Sequence, residues 1–484
     1  MGNRACTAKY EIVVHHLHMF GIKRDAFALD KARRLIIHED DAYQTSMLAV
    51  ENGAIVLLHT PSVEMLAMLG VSCSLVACMH TNFFRCEISS RQKFTTLKTI
   101  HDFQVFGDSR LHPIVVTTDG QPAWGWLPCG KGGYLLIGTN LADDTIRFRQ
   151  GDPAEATQRP KKALWGIAGE RPNYLFEPQI SDLPHGARPV DEWYELLAGV
   201  LADLVGYVRH PILPNGATGA IVVTGDDDQA QLEKYAEQLK LIGNTPITYF
   251  LHPLTRHTPD TLNRMIRKYR VDFGIHPDAL AAPQQYADLL HQQCAWFQDL
   301  TKQRAKSVRN HGFLNDGYWG HLNPWLDEKI HISTNLPGLD GRALNGSLLP
   351  ARVYASGHLT EHWSVVTAIG DGVRYVNGGK SDLESANCIF DLADAIRQSG
   401  IPGVMVLNLH PQNVSDTHAM HLAVLEVIRS GFVAWNMQDC LDWFADGVTR
   451  PPVGFLQRTF ARVLPIRFPA KRRAVGLQFF EQGT

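Results

Sequence analysis

One short stretch constrains this chain more than any other: GATGAIVVTGDDDQA, residues 216–230. Its apolar run, Ala220 to Val223, breaks off through Thr224 and Gly225 into three consecutive carboxylates, Asp226, Asp227 and Asp228. A short β-branched run bounded by glycines predicts a buried strand. Leu232, Tyr235, Ala236, Leu239 and Ile242 then recur at helical spacing, so a helix follows at once. The aspartates therefore stand at the carboxyl end of a strand, the edge on which α/β folds bind ligands. Three adjacent like charges repel, and burying them without a cation is costly. A helix N-cap needs only one Asp; the others call for a divalent ion or a bound proton, or are solvated loop carboxylates.

The same alternation runs from 216 to about 447. TPITYFLHP, VDFGIHPD and GVMVLNLHP read as strands. TPDTLNRMIRKY reads as a helix with Thr258 as N-cap and Pro259 in the first turn. A long helix precedes SVRNHGFL, and another opens near Ser415. Four strand ends carry polar groups: Asp226 with Asp227, His276, Arg309 with His311, and His410. Repeated strand–helix units predict a parallel barrel or a doubly wound sheet, and in a barrel such ends converge on one face. Carboxylate plus imidazole suits zinc, iron or nickel with a position left for water. His418 and His421, one turn apart on a helix, are expected at the surface or in packing.

Residues 1–185 alternate strand-like and helix-like segments, which predicts an accessory α/β domain of flavodoxin-like character without evident catalysis. His15, His16 and His18 alternate as on a strand and suggest no chemistry. Gly125 to Lys131 has P-loop spacing, but Gly132 replaces the magnesium-binding hydroxyl and a strand follows, so a turn between strands is expected. A linker helix is expected within 186–215, ahead of a barrel over 216–447. The tail, 448–484, is basic with an apolar helical face; it packs on its own domain or rests weakly on an anionic membrane surface.

A chain of 484 residues exceeds one ordinary core, so two or three domains are expected. A net charge of −3 supplies no basic field for nucleic acid. None of the eight cysteines forms a CxxC pair, which predicts reduced, buried thiols. The first twenty residues carry no apolar signal core and no run reaches a spanning length; a cytoplasmic location is expected, and oligomeric state is left open.

The motifs in 216–447 resemble those of the polysaccharide deacetylases of the NodB-homology family. Thr224-Gly225-Asp226-Asp227-Asp228 is similar to that family's T-F-D-D-G, His276 to the first histidine of H-[ST]-x-x-H, Arg309 to the arginine of R-x-P-[FY], and His410 to the histidine after its last apolar strand. The N-terminal half is only distantly similar to glutamine-amidotransferase-like domains. The family resemblance implies a distorted (β/α) barrel and removal of N- or O-linked acetyl groups from a carbohydrate or an acylated small molecule. It implies Asp226 as base, Arg309 as the residue orienting it, and His410 as acid. Asp227 and His276 would hold a divalent ion, zinc first, with iron, nickel or cobalt as alternatives. Leu280 stands where the second histidine belongs, so His311 or Asp228 must complete the ligand set. Two other functions stay open: a carbohydrate-binding protein that lost catalysis, and a glycosyltransferase using Asp226-x-Asp228 as a manganese clamp.

Overall fold

The computed structural model describes residues 2–22, 35–38, 47, 49–78, 82–87, 97–157, 172–176, 183, 186–206, 208–228, 230–338, 345–376 and 378–445. The basic tail and much of the Pro- and Gly-rich stretch before 186 lie outside these residues.

The chain opens with a helix, α1 (Gly2–Met19), followed by β1 (Leu35–His38), β2 (Ile55–His59), α2 (Val63–Leu69), β3 (Ser72–Val76) and β4 (Asn82–Cys86). Next come β5 (Lys98–Thr99), β6 (Phe103–Gly107), β7 (His112–Thr117), β8 (Pro122–Cys129), β9 (Gly132–Ile137), α3 (Leu141–Gln150) and α4 (Pro189–Val205). The expected strand around His15, His16 and His18 is instead part of α1. Val13, Leu17 and Phe20, all buried, recur at helical spacing, which outweighs the two-residue alternation of the histidines. Seven strands form one sheet in the order β1-β2-β9-β8-β7-β4-β5. Its parallel, flavodoxin-like part is β1-β2-β9, and an antiparallel meander extends it. The P-loop-like stretch is the end of β8 and the tight Gly130-Lys131 turn into β9, a turn between strands as expected.

The second half runs β10 (Gly219–Asp226), α5 (Leu232–Ile242), β11 (Ile247–Leu251), α6 (Pro259–Lys268), β12 (Val271–Ile275), α7 (Tyr286–Thr301), β13 (Ser307–Val308), α8 (Leu322–Asp327) and β14 (Ile332–Pro337). It continues through β15 (Ala351–Ala355), β16 (His358–Gly370), α9 (Asp382–Ser399), β17 (Gly403–Asn408), α10 (His418–Arg429), β18 (Val433–Trp435) and α11 (Met437–Ala445). Strands β10-β11-β12-β13-β14-β16-β17 close on β10 as a seven-stranded parallel ring. The ring is distorted where it closes. One edge of β10 pairs with β18 over Ala220–Val222 and only from Val223 onward with β11. Every residue of β10, β11, β14 and β17 is buried, as fits strands covered on both faces.

The two halves share a core. Val13, Trp124, Trp193, Val222 and Val406 belong to one cluster of buried side chains. Helix α4 is buried along most of its length. The Trp193 indole donates to the Lys98 carbonyl at 2.8 Å, and Arg149 Nη2 donates to the Leu349 carbonyl at 2.8 Å. No helix among the described residues is long and apolar enough to cross a membrane.

Candidate active site and metal centre

Strand β10 delivers the first residues of the site. Side chains alternate along extended chain, so Thr224, Asp226 and Asp228 share one face and Asp227 takes the other. Gly225 lies so close to the Leu409 carbonyl that a Cβ there would sit 2.7 Å from its oxygen; the strand can carry no side chain at that point.

Asp226 is 3% exposed and held from both sides. Arg309 Nη1 donates to Oδ1 at 2.7 Å and Asn408 Nδ2 to Oδ2 at 2.7 Å. Arg309 is itself fully buried, donating through Nη2 to the Thr224 hydroxyl at 2.8 Å and lying over the Phe250 ring. Burial works against the Asp226 carboxylate, but Arg309, His276 and His410 outweigh it and hold its pKa below the usual value.

Asp228 faces three imidazoles. Its Oδ1 lies 3.4 Å from His276 Nε2 and 3.6 Å from His311 Nε2, and its Oδ2 lies 3.4 Å from His410 Nε2. His276, at the end of β12, donates from Nδ1 to the Arg309 carbonyl at 2.6 Å, which leaves the Nε2 lone pair facing Asp228. The ligand atoms of Asp228, His276 and His311 all lie within 4.8 Å of one another. Bonds of about 2.0–2.1 Å to a tetrahedral zinc place ligand atoms about 3.3 Å apart, close to the spacings here. Asp228 Oδ1 is also buried without a hydrogen bond. Burial lowers the His276 pKa, yet Asp226 and Asp228 together raise it. The cluster draws a positive charge to itself, which a proton or a divalent ion can supply, so these three residues fit a metal.

Asp227, expected as a ligand, is placed elsewhere. Its Oδ1 accepts from the Tyr235 hydroxyl and its Oδ2 from the His252 backbone N–H at 3.4 Å. Burial raises its pKa to about 6. Just past the end of β10, Asp227 turns to Tyr235 on α5 and to the backbone after β11. Asp228 is the carboxylate that faces His276 and His311, while Leu280 lines the cavity wall.

Opposite Asp226 lies His410, whose Nε2 is 3.6 Å from Asp226 Oδ2. Its Nδ1 pairs with Asp371 Oδ1 at 2.5 Å and its backbone N–H donates to Asp371 Oδ2 at 2.9 Å. Burial opposes the charged ring, but Asp371 overrides it and the pKa rises to about 10. Sequence reading missed Asp371 and Asn408. Asn408 is the last residue of β17, two before His410, and that spacing was the available signal; Asp371 directly follows β16. His421 is a packing residue, as expected, bonded to the Thr417 carbonyl at 2.7 Å and to Gln238 at 2.9 Å.

These groups open into one cavity of about 270 Å³, with Asp226, Asp228, His276, His311, Asn408 and His410 among its lining and Leu280, Phe313 and Val376 on its apolar walls.

No protein-family model matches the chain. No curated protein matches it. Among solved structures, a Mycobacterium smegmatis protein described as a polysaccharide deacetylase is similar at 15% identity, over 50% of this chain and 95% of that one, with a TM-score of 0.38. The chitin deacetylase of the fungal pathogen Colletotrichum lindemuthianum is similar at 15% identity, over 46% and 87%, with a TM-score of 0.32. A CE4 family pseudoenzyme of Bacillus anthracis is similar at 11% identity, over 46% and 65%, with a TM-score of 0.28. At such identities and TM-scores these likenesses carry no weight on activity, which has to be argued from the residues.

Proposed function

We propose that the chain is a metal-dependent hydrolase that removes an acyl group, acetyl above all, from an amine or hydroxyl of a carbohydrate or related substrate. The observation that carries this reading is an opposed acid and base beside one ligand cluster. Asp226 is clamped by Arg309 and Asn408, His410 by Asp371, and Asp228, His276 and His311 lie between them. Those last three would hold the ion. Bound there, a divalent metal supplies Lewis acidity, polarising an acyl carbonyl and acidifying water.

The chain's own residues do the rest. Asp226, kept ionised by Arg309, takes a proton from the attacking water as the new C–O bond forms. His410, protonated at neutral pH because Asp371 backs it, gives its proton to the leaving nitrogen or oxygen as the acyl bond breaks. The apolar walls keep bulk water away from the acyl group. Hydrolysis is preferred to a nucleotide–manganese clamp because such a clamp leaves the His276, Arg309 and His410 arrangement around Asp226 without a use.

The test is release of acetate from N- and O-acetylated sugars by protein reconstituted with zinc. Asp226→Asn and His410→Gln should each lower kcat by about 100-fold or more, while Asp228→Ala should lower bound zinc from one equivalent towards none. Zinc bound without acetate release from any acylated sugar supports the non-catalytic carbohydrate-binding alternative. No zinc bound, with full activity retained, overturns the metal assignment.

A further inference from the structure

The ligand His311 does not come from the position four residues after His276, where Leu280 stands. It sits instead on a one-turn 3-10 segment, His311–Phe313, next to Gly312 at φ +62°, with about a third of its side chain exposed (31%). A rim imidazole on such a turn is free to rotate or change tautomer unless something holds it.

We infer that Asp278, backed by His252, is the positioning residue that fixes the His311 ring with its proton on Nδ1 and its Nε2 lone pair facing Asp228. This rests on the metal reading above. The His311 Nδ1 is buried with no hydrogen bond of its own, and the group it faces is Asp278 Oδ1 at 3.5 Å. The Leu254 backbone N–H donates to His252 Nδ1 at 3.1 Å, so a neutral His252 carries its proton on Nε2. That Nε2 points at Asp278 Oδ2 from 3.3 Å. The order is therefore Leu254 N–H to His252 and His252 Nε2–H to Asp278, with His311 Nδ1 turned to Asp278 and His311 Nε2 to Asp228. Carboxylates that receive the second N–H of a metal-bound histidine fix its tautomer and raise its basicity.

Asp278 is placed for this. Its backbone N–H donates to Gln293 Oε1 at 2.9 Å and its carbonyl accepts from Gln293 Nε2 at 2.8 Å. The Leu280 N–H donates to its Oδ1 at 3.1 Å. The His311 N–H donates to the Pro277 carbonyl at 3.0 Å, tying both loops together. The same atoms could be taken for a second metal site, since His252, Asp278 and His311 also offer ligand atoms within 4.8 Å of one another. The Leu254 contact argues against it: its N–H takes up the His252 Nδ1 lone pair, so the Nε2 that faces Asp278 carries the proton and has no lone pair for a metal.

Two measurements on the full chain test this. In chelator competition, Asp278→Ala should weaken zinc binding about 10- to 100-fold, Asp278→Asn less, and His252→Gln less again. In nitrogen-15 spectra of the metal-free protein, His311 should show the Nδ1–H tautomer, its signals identified by their loss in His311→Asn. That preference should become mixed in Asp278→Ala. Wild-type zinc affinity in Asp278→Ala, an Nε2–H tautomer for His311 in the wild type, or two zinc ions per chain would each overturn the positioning role. If the wild type binds no zinc, the hydrolase reading falls, while the tautomer measurement still decides on Asp278.

Discussion

At the scale of single residues, Arg309 carries the heaviest electrostatic load. A fully buried guanidinium facing a buried carboxylate is tolerable only while both are present. Arg309→Met should cost about 3–5 kcal/mol of stability in urea unfolding, because Asp226 is left as an uncompensated buried charge. Asp226→Asn in the same chain should restore most of that loss; if the double variant is no more stable than the single one, the cost is packing and not charge. The same residues show what sequence could tell. Asp226, His276, Arg309 and His410 were legible because each closes an apolar strand. Asp227 was read as a ligand from motif register, while its carboxylate is bonded to Tyr235 and to the His252 N–H and Asp228 is the one that faces His276 and His311. Asp371 was out of reach, since its partner His410 is 39 residues away and nothing local announces the pairing.

At the scale of elements, the start of α6 was legible. Thr258 caps α6 as expected, with the Thr261 hydroxyl returning the bond in a capping box. Ser381 and Glu384 do the same for α9. Ser381→Ala should cost about 1 kcal/mol, read from the denaturation midpoint, with Ser381→Asp close to neutral. Loss well above 2 kcal/mol would mean that Ser381 does more than cap. Less legible was the start of α10. It begins at His418 behind Thr417, three residues after the expected Ser415, because Ser415 is engaged with Lys234 and Glu237 across the groove to α5.

For the whole molecule, buried histidines set the response to acid. Burial lowers His257, His321 and His362 to about 4 and His16 to about 3, against an ordinary 6.5. Each stays neutral in the folded chain while its unfolded counterpart takes a proton, so stability is lost as pH falls from about 6.5 towards 4. His321 and His362 alone are worth on the order of 3 kcal/mol each over that window. Asp227 and Asp272, both raised to about 6 by burial, act in the opposite sense but are outnumbered. Thermal scans should show Tm falling steeply below pH 6.5, with a shallower slope in His362→Gln; a Tm flat from pH 7 to 4.5 would contradict the buried neutral state. The parallel strand–helix units were legible from their alternation, which left a closed ring and an open doubly wound sheet both possible; the family resemblance pointed to the ring. The antiparallel half of the N-terminal sheet was not, because alternation of element types does not fix strand direction.

Gln150, the last residue of α3, gives its amide to the Tyr354 carbonyl and takes the Tyr354 N–H in return, both at 2.8 Å. One side chain thus completes a rung of the β15 hairpin from the other half of the chain. A barrel cut free at residue 216 would lose that rung along with the Trp193 helix, so the barrel half is not a portable cassette. Any fusion, truncation or recombination of the gene has to carry both halves together.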